Sequence, residues 1–591
     1  MGAGIVGAAG STGGAAASAP PPHWPDLSLG RLYRSLSTDG APALRVGVIV
    51  QAEGTTRFGR ALLDDLCACP YVVPALVLRV AQPGIDAAAA QHRAPAAFRL
   101  YQRLVARKTR LAPDPLAAAK HDDLLGKALS LDCEVRGTGH VAPSAAAMGP
   151  LQAAQLDVIV NLTSFKPADE LVAAARHGVW YYKVAGEIVG ATPVPGLREF
   201  MARTPVTTAE LCALLPDVAG PVVLRELHTA TLVYLLPDAN GSAPLWCAQH
   251  LLIAALHTLR TRGWTALLRK STSSTKGAPA REDARARAPG NLAILAWLGG
   301  LLLARVWRRI RRRPQQAPVW NLALRRSARP LYERASMQDL REFRWIANPP
   351  GHFLADPFLF QDGPNTWLFF EDYSFATERG TLSCARLGDD GRLHDLASCL
   401  ERPYHLSYPQ VFRTGDGIFM IPETADAGIV ELYRAVEFPY RWEWSAKLLD
   451  LRAVDSTVVR AAGRWWMFTS PMVVAANAPM TLLFAADDLR GPWVLQEQCD
   501  ISADARAARG GGAIVDTSDG LIRPSQDCTL EYGRRLLFNR IGSLSPHGYS
   551  EHAPLVLDPG WLPGMVGIHS YARVGDWEAI DGLFESGVSP A

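Results

Sequence analysis

A hairpin that recurs five times in the last part of the chain limits the possible folds more than any other feature. The copies open at Asp356, Tyr408, Asp455, near Pro524 and at Ile568. Each has a polar first residue, a short apolar strand, a turn with Gly or Asp, and a second strand rich in aromatic or aliphatic residues. Gly and Asp accept turn conformations that bulkier residues resist. Further strands follow three of the copies, from Gly380, Gly428 and Met480. Units of three to four strands at spacings of about 45–70 residues predict a five-bladed β-propeller over 331–591.

The first strand of a propeller blade lines the central channel, so equivalent positions converge there. Those positions hold Asp356, Tyr408 with Gln410, Asp455, Gln526 with Asp527, and His569. A hydrophobic core needs no such set, although Asp at a strand start also caps turns. The candidate catalytic residues are therefore Asp356, Asp455 and Asp527. Tyr408, Gln410, Glu423, Arg523, Gln526 and His569 are candidates for binding substrate, and no residue is assigned to a metal. Glu371 and Glu423 close the second strands of blades one and two, where a carboxylate more often sits at a surface or turn. Arg402, His405 and Arg523 lie beside inner strands, either to meet an anionic group or to neutralise the aspartates.

The chain has 591 residues, enough for more than one domain. A net charge of +3 is small for this length and argues against general nucleic-acid binding. Nine scattered cysteines give no paired zinc pattern and suit a reducing compartment. Residues 1–43, rich at first in Gly, Ala, Ser and Pro, are expected to form a disordered tail without an export signal. That expectation places the protein in the cytoplasm.

From 44 to 250 the pattern alternates. Strands are expected at Leu44–Gln51, Val72–Val80, Leu156–Ser164 and Val179–Val184, with helical stretches between them, which gives an open, mostly parallel sheet. AEGTTRFG after the first strand lacks the glycine spacing of a dinucleotide site, and the cofactor is unknown. The order of strands, with WYYKVAGE and PDVAGPVV, resembles the formyltransferase fold over Leu44–Leu235. The resemblance implies transfer of a formyl group to an amine by an Asn–His pair and an Asp. Here that region offers Lys183 and Glu187 without a histidine, and Asp217 is one residue out of phase.

Residues 251–330 read as a helical, basic connector. Within it, Leu292–Ala304 gives only 13 apolar residues before six arginines between Arg305 and Arg313. A spanning helix needs about 20. The stretch Leu292–Arg313 suits a helix on an anionic membrane surface, which would put the protein on the inner membrane face, or a helix packed against a domain.

The propeller carries a second resemblance. GHFLADPFLF, LFFED, HLSYPQVF, FMIPET, ELYRAVEFPYRWEW, VDSTVV and LIRPSQDC occur in order between Phe353 and Gly582. This stretch is similar to the amino-terminal domain of plant glucosamine inositolphosphorylceramide transferases, and more distantly to arabinanase-type glycosidases. The first likeness implies a role in glycan biosynthesis. The second implies a base at Asp356, a pKa-tuning Asp455, an acid on blade four where only Gln526 and Asp527 stand, and His569 near a central metal or water. The expected partner is a carbohydrate or sugar conjugate in the funnel. The reading is a glycosyl- or group-transfer enzyme; the alternatives are a glycan-binding scaffold, an amino-sugar formyltransferase and a glycoside hydrolase.

Overall fold

The computed structural model describes residues 29–36, 40, 42–81, 96–97, 113–126, 128–137, 139–191, 195–231, 237–268, 290–311, 318–333, 336–473, 480–496 and 503–585. The chain divides into two compact units, one running from His23 to Ile310 and the other holding Arg311–Ala591.

The first unit is built on a ten-stranded sheet. Strands Leu44–Gln51, Val72–Val80 and Val179–Val184 have the bounds expected, and Val158–Asn161 is the core of the fourth. The sheet is mixed rather than mostly parallel. Its centre, from Val179–Val184 through Val158–Asn161, Leu44–Gln51 and Val72–Val80 to Leu129–Arg136, is parallel. On one side Val206–Leu214 and Val222–Ala230 add antiparallel strands; on the other, His140–Pro143 pairs antiparallel with Leu129–Arg136. Short connections join Leu129–Arg136 to His140–Pro143 and Val206–Leu214 to Val222–Ala230, whereas a parallel pair needs a long crossover. Lys183 faces Glu210 across the sheet at 3.9 Å, so it is engaged within the scaffold.

Two stretches assigned by sequence to tail and connector belong to this unit. Gly30–Arg34 is a short helix with Tyr33 buried. Leu251–Arg262 is a helix with every residue from Leu251 to Leu259 buried, and it stops at Gly263, whose φ of 78° a side chain would resist.

The second unit is the expected propeller. Blade one is His352–Asp362, Asn365–Ser374, Arg379–Leu387 and Leu393–Leu400. Blade two is Ser407–Thr414, Gly417–Glu423, Val430–Glu437 and Arg441–Leu449. Blade three is Ala453–Ala461, Arg464–Pro471, Leu482–Ala486 and Val494–Leu495. In blade four the inner edge is formed by Arg509–Gly510 and Val515–Thr517, and Gly520–Asp527 is the second strand. The repeat near Pro524, expected to open an inner strand, is therefore a second strand; GGG carries no pattern that marks the inner one. Blade five joins Tyr571–Val574 and Trp577–Phe584 to Val319–Arg326, a strand that sequence left in the connector.

That last pairing closes the ring, register running from Val319↔Phe584 to Arg326↔Trp577. Closure removes a free sheet edge. Apolar contacts join blades three and four through Trp466, Phe468 and Ile541. A buried ion network pins the closing strand. Arg325 Nε lies 2.6 Å from Glu578 Oε2, both almost fully buried, while the Tyr571 hydroxyl donates to Glu578 Oε1 at 2.5 Å. Removing one member of such a pair leaves an uncompensated charge. Arg325→Ala is expected to destabilise the propeller by about 3–5 kcal/mol, measurable by denaturant unfolding; a loss under ~1 kcal/mol would show that the network is not closing the ring.

Candidate functional site

In blades one, two and three the inner strand slips register at the same place: between Ala355 and Phe358, Ser407 and Gln410, and Val454 and Thr457. The residues at these bulges, Asp356, Tyr408 and Asp455, have φ of 50°, 50° and 51°. A bulge bends its strand and redirects a side chain. A left-handed conformation costs about 1–3 kcal/mol in a residue other than Gly. Three copies of that strain in phase are held in place by the ring around them. Blade four meets the same need with glycine: a Cβ on Gly512 would lie 1.9 Å from the Tyr571 carbonyl.

The second strands end in phase too. Glu371 pairs with Ala355, Glu423 with Ser407, Ser470 with Val454 and Gln526 with Arg509. Asp581 stands on the second strand of blade five. The result is a cluster of buried carboxyls. Asp356 accepts the Ser570 hydroxyl at 2.8 Å, and its own N–H donates to Asp581 at 3.1 Å. His569 bridges the two carboxyls, with Nδ1 2.6 Å from Asp581 Oδ2 and Nε2 3.6 Å from Asp356 Oδ1. Trp320 stacks on the imidazole, ring centroids 3.8 Å apart. Asp455 is ion-paired with Arg509 at 2.6 Å, and the Arg509 guanidinium lies over the Tyr532 ring. His405 Nε2 reaches Glu371 at 3.5 Å while its Nδ1 accepts the Gly380 N–H, which puts the ring proton on the nitrogen facing the glutamate.

Burial splits the acidities. It raises Asp356 to about 6, against the charge of His569, with Asp581 and Asp455 adding to the rise. Burial, with Asp455 beside it, raises Glu423 to about 8, and burial with Asp356 nearby holds Glu371 well above the usual carboxylate range. Burial alone would lower His569, but Asp581 and Asp356 outweigh it and the imidazole is held charged to higher pH. Burial lowers His405 to about 4, leaving it neutral at ordinary pH. Glu423, weighed from sequence as a surface or turn carboxylate, is 8% exposed. Carboxyls kept protonated beside one paired with arginine are the division of labour that acid–base chemistry uses.

Of the residues picked from sequence, Asp356, Asp455, Glu423 and His569 join this cluster, and Gln526 borders it, its amide 3.5 Å from Asp455 and donating to the Gly510 carbonyl at 2.5 Å. Others are engaged in the frame. The Tyr408 hydroxyl accepts the Gly512 N–H at 2.7 Å and bonds Thr457 at 2.9 Å, and Tyr408 is fully buried. The Gln410 amide pairs with both backbone groups of Val458 in the next blade. Arg523 forms a bidentate pair with Glu551. Asp527 accepts the Thr529 N–H and hydroxyl, a turn cap. Arg509, Asp581, Trp320 and Tyr532 went unnoticed. Asp581 was legible, since it follows the fifth hairpin's turn as Glu371 and Glu423 follow theirs; Arg509 was hidden by the misplaced fourth repeat.

Asp356, His569 and Asp581 also bring one ligand atom each within 4.8 Å of one another, a spacing that fits a metal ion.

Two outcomes follow. Tyr408→Phe strips the Gly512 N–H of its acceptor and should cost about 1–3 kcal/mol of stability in denaturant melts; an unchanged midpoint would return Tyr408 to the list of binding residues. Because Glu423 is raised in the fold, the fold binds its proton more tightly than the unfolded chain does. Its stabilising contribution is present below the unfolded value, near 4.3, and is lost as pH rises through about 8. Glu423→Gln should therefore raise the propeller's Tm at pH above 8 by about 2–4 °C and make little difference near pH 5; an equal shift at both would show that Glu423 is not held protonated.

Residues 343–558 match the family described as "Glucosamine inositolphosphorylceramide transferase 1, N-terminal". Relatives named glucosamine inositolphosphorylceramide transferase 1 from Oryza sativa subsp. indica and Arabidopsis thaliana are 36% and 35% identical over 208 residues, covering 34% of this chain and 28% and 27% of theirs. The chain thus spans little more than a quarter of the length of these curated relatives. Among solved structures, a family 117 glycoside hydrolase from Zobellia galactanivorans overlaps 46% of this chain and 92% of its own at 10% identity and a TM-score of 0.31. An α-L-arabinanase from Cellvibrio cellulosa overlaps 34% and 77% at 14% identity and a TM-score of 0.26. The propeller is similar, over 343–558, to the amino-terminal domain of the glucosamine inositolphosphorylceramide transferases.

Proposed function

We propose that the propeller binds a sugar or sugar conjugate at its axial cluster and acts there as a glycosyl- or group-transferase of glycan assembly. One observation carries this: the ring buries Asp356 and Glu423, set on adjacent blades, in one carboxyl cluster, and that burial raises them to about 6 and about 8. Between those values Asp356 is ionised and Glu423 protonated, the states needed for a base and an acid. Asp356 would take a proton from the attacking hydroxyl and Glu423 would give one to the departing oxygen. Asp455, tied to Arg509, and His569, tied to Asp581, would hold the field fixed while the bonds exchange. With Glu371 and Glu423 protonated, the carboxyls of Asp356, Asp455 and Asp581 against Arg509 and His569 still favour a neutral or amine-bearing sugar over an anionic one at the axis. The relatives' names, which speak of glucosamine, agree with that charge.

A second reading, a glycan-binding scaffold without catalysis, is favoured by Gln526. It stands where blades one, two and five place Glu371, Glu423 and Asp581, and an amide cannot donate a proton as an acid does. The two readings part on Asp356→Asn. Transfer from activated sugar donors should fall by about 10²–10⁴-fold with sugar binding retained, and the wild-type rate should peak between pH 6 and 8. Saturable sugar binding without product from any donor would establish the scaffold instead.

A further inference from the structure

We infer that the helix Asn291–Arg311 is a docking element for an anionic lipid surface. Its inner side is fixed to the first unit: Ile294 is fully buried against Leu197, with Met201 and Leu298 packed around them, and Trp297 meets Phe200 edge-on. Among the described residues the opposite side has no such cover. Leu292 is 84%, Leu295 55% and Leu303 72% exposed. At 100° per residue these leucines, with Ala296 and Gly299, form one stripe. In the sequence, six arginines follow between Arg305 and Arg313.

An apolar stripe left in water is unfavourable for an isolated chain and marks a contact surface. Charge selects the occupant. Between Asp283 and Glu333 the sequence contains no acidic residue, so the arginines have no local counter-charge along the chain. An exposed apolar stripe followed along the helix by a run of arginines suits a helix lying in the boundary between the headgroups and acyl chains of an anionic surface. No helix among the described residues is long and apolar enough to cross a membrane. The contact is therefore in the plane of one leaflet.

The test is co-sedimentation of the full chain with vesicles of phosphatidylcholine alone and of phosphatidylcholine with phosphatidylglycerol. Binding to the anionic vesicles should be tighter by about tenfold or more and should weaken as salt is raised. Leu292→Glu/Leu295→Glu/Leu303→Glu should abolish it with an unchanged far-UV spectrum, since these side chains are exposed. Arg308→Gln/Arg309→Gln/Arg311→Gln should remove the preference for anionic lipid. Failure to bind either vesicle, or equal binding to both, overturns the inference. So does self-association through the leucine stripe with no lipid binding.

Discussion

The pairing of Val319–Arg326 with Trp577–Phe584 is the constraint on which the propeller depends. It is the longest-range pairing in the unit, and it decides which residues meet on the axis. Closure brings blade five against blade one, so that Ser570 can donate to Asp356 and the Asp356 N–H can reach Asp581. It also delivers Trp320, from the closing strand's own start, onto the face of His569. Without closure the carboxyls of blades one and five would be solvated at two free ends of a curved sheet stack. With it, they are buried and compelled to share protons and partners.

From that burial the chemistry follows. Moving a carboxyl out of water favours its protonated form, and each further carboxyl nearby adds to the effect. Arg509 and His569 each compensate part of the set: one pairs with Asp455, the other with Asp581 and Asp356. Glu423 and Glu371 are left with the proton as their remaining means of neutralisation. The strained bulges at Asp356 and Asp455 serve this arrangement, since an ordinary pleat would alternate those side chains between the two faces of the blade. At Tyr408 the same bulge serves the frame instead, clamping Gly512.

Much of the propeller was legible because its signals are local: a polar opening, a period of two, a Gly or Asp turn. The three residues named from inner-strand phase in blades one, three and five, together with one second-strand glutamate, reach the cluster; phase alone did not separate Asp356 from Tyr408. The distinction lies in what the neighbouring blade offers, a carboxylate network in one case and the Gly512 backbone in the other. Blade four misled because three successive glycines carry no hydrophobic pattern, although their backbone lies where a Cβ would strike the next blade. The closing strand VWNLALRR was lost for another reason: its partner is over 250 residues away, as Asn321↔Gly582 shows. In the first unit the strands were clear, but whether an edge strand runs parallel depends on the connection, not the strand.

The central claim is that burial on the axis keeps a glutamate protonated at neutral pH while the aspartate beside it ionises. Infrared or carboxyl NMR titration of the full chain, isotope-labelled at Glu, measures this directly. The account predicts a protonated glutamate signal that persists at pH 7, titrates near 8 and disappears in Glu423→Gln. A titration in which every glutamate is ionised by pH 6 would contradict it, and the axis would then be a charged binding surface without an acid.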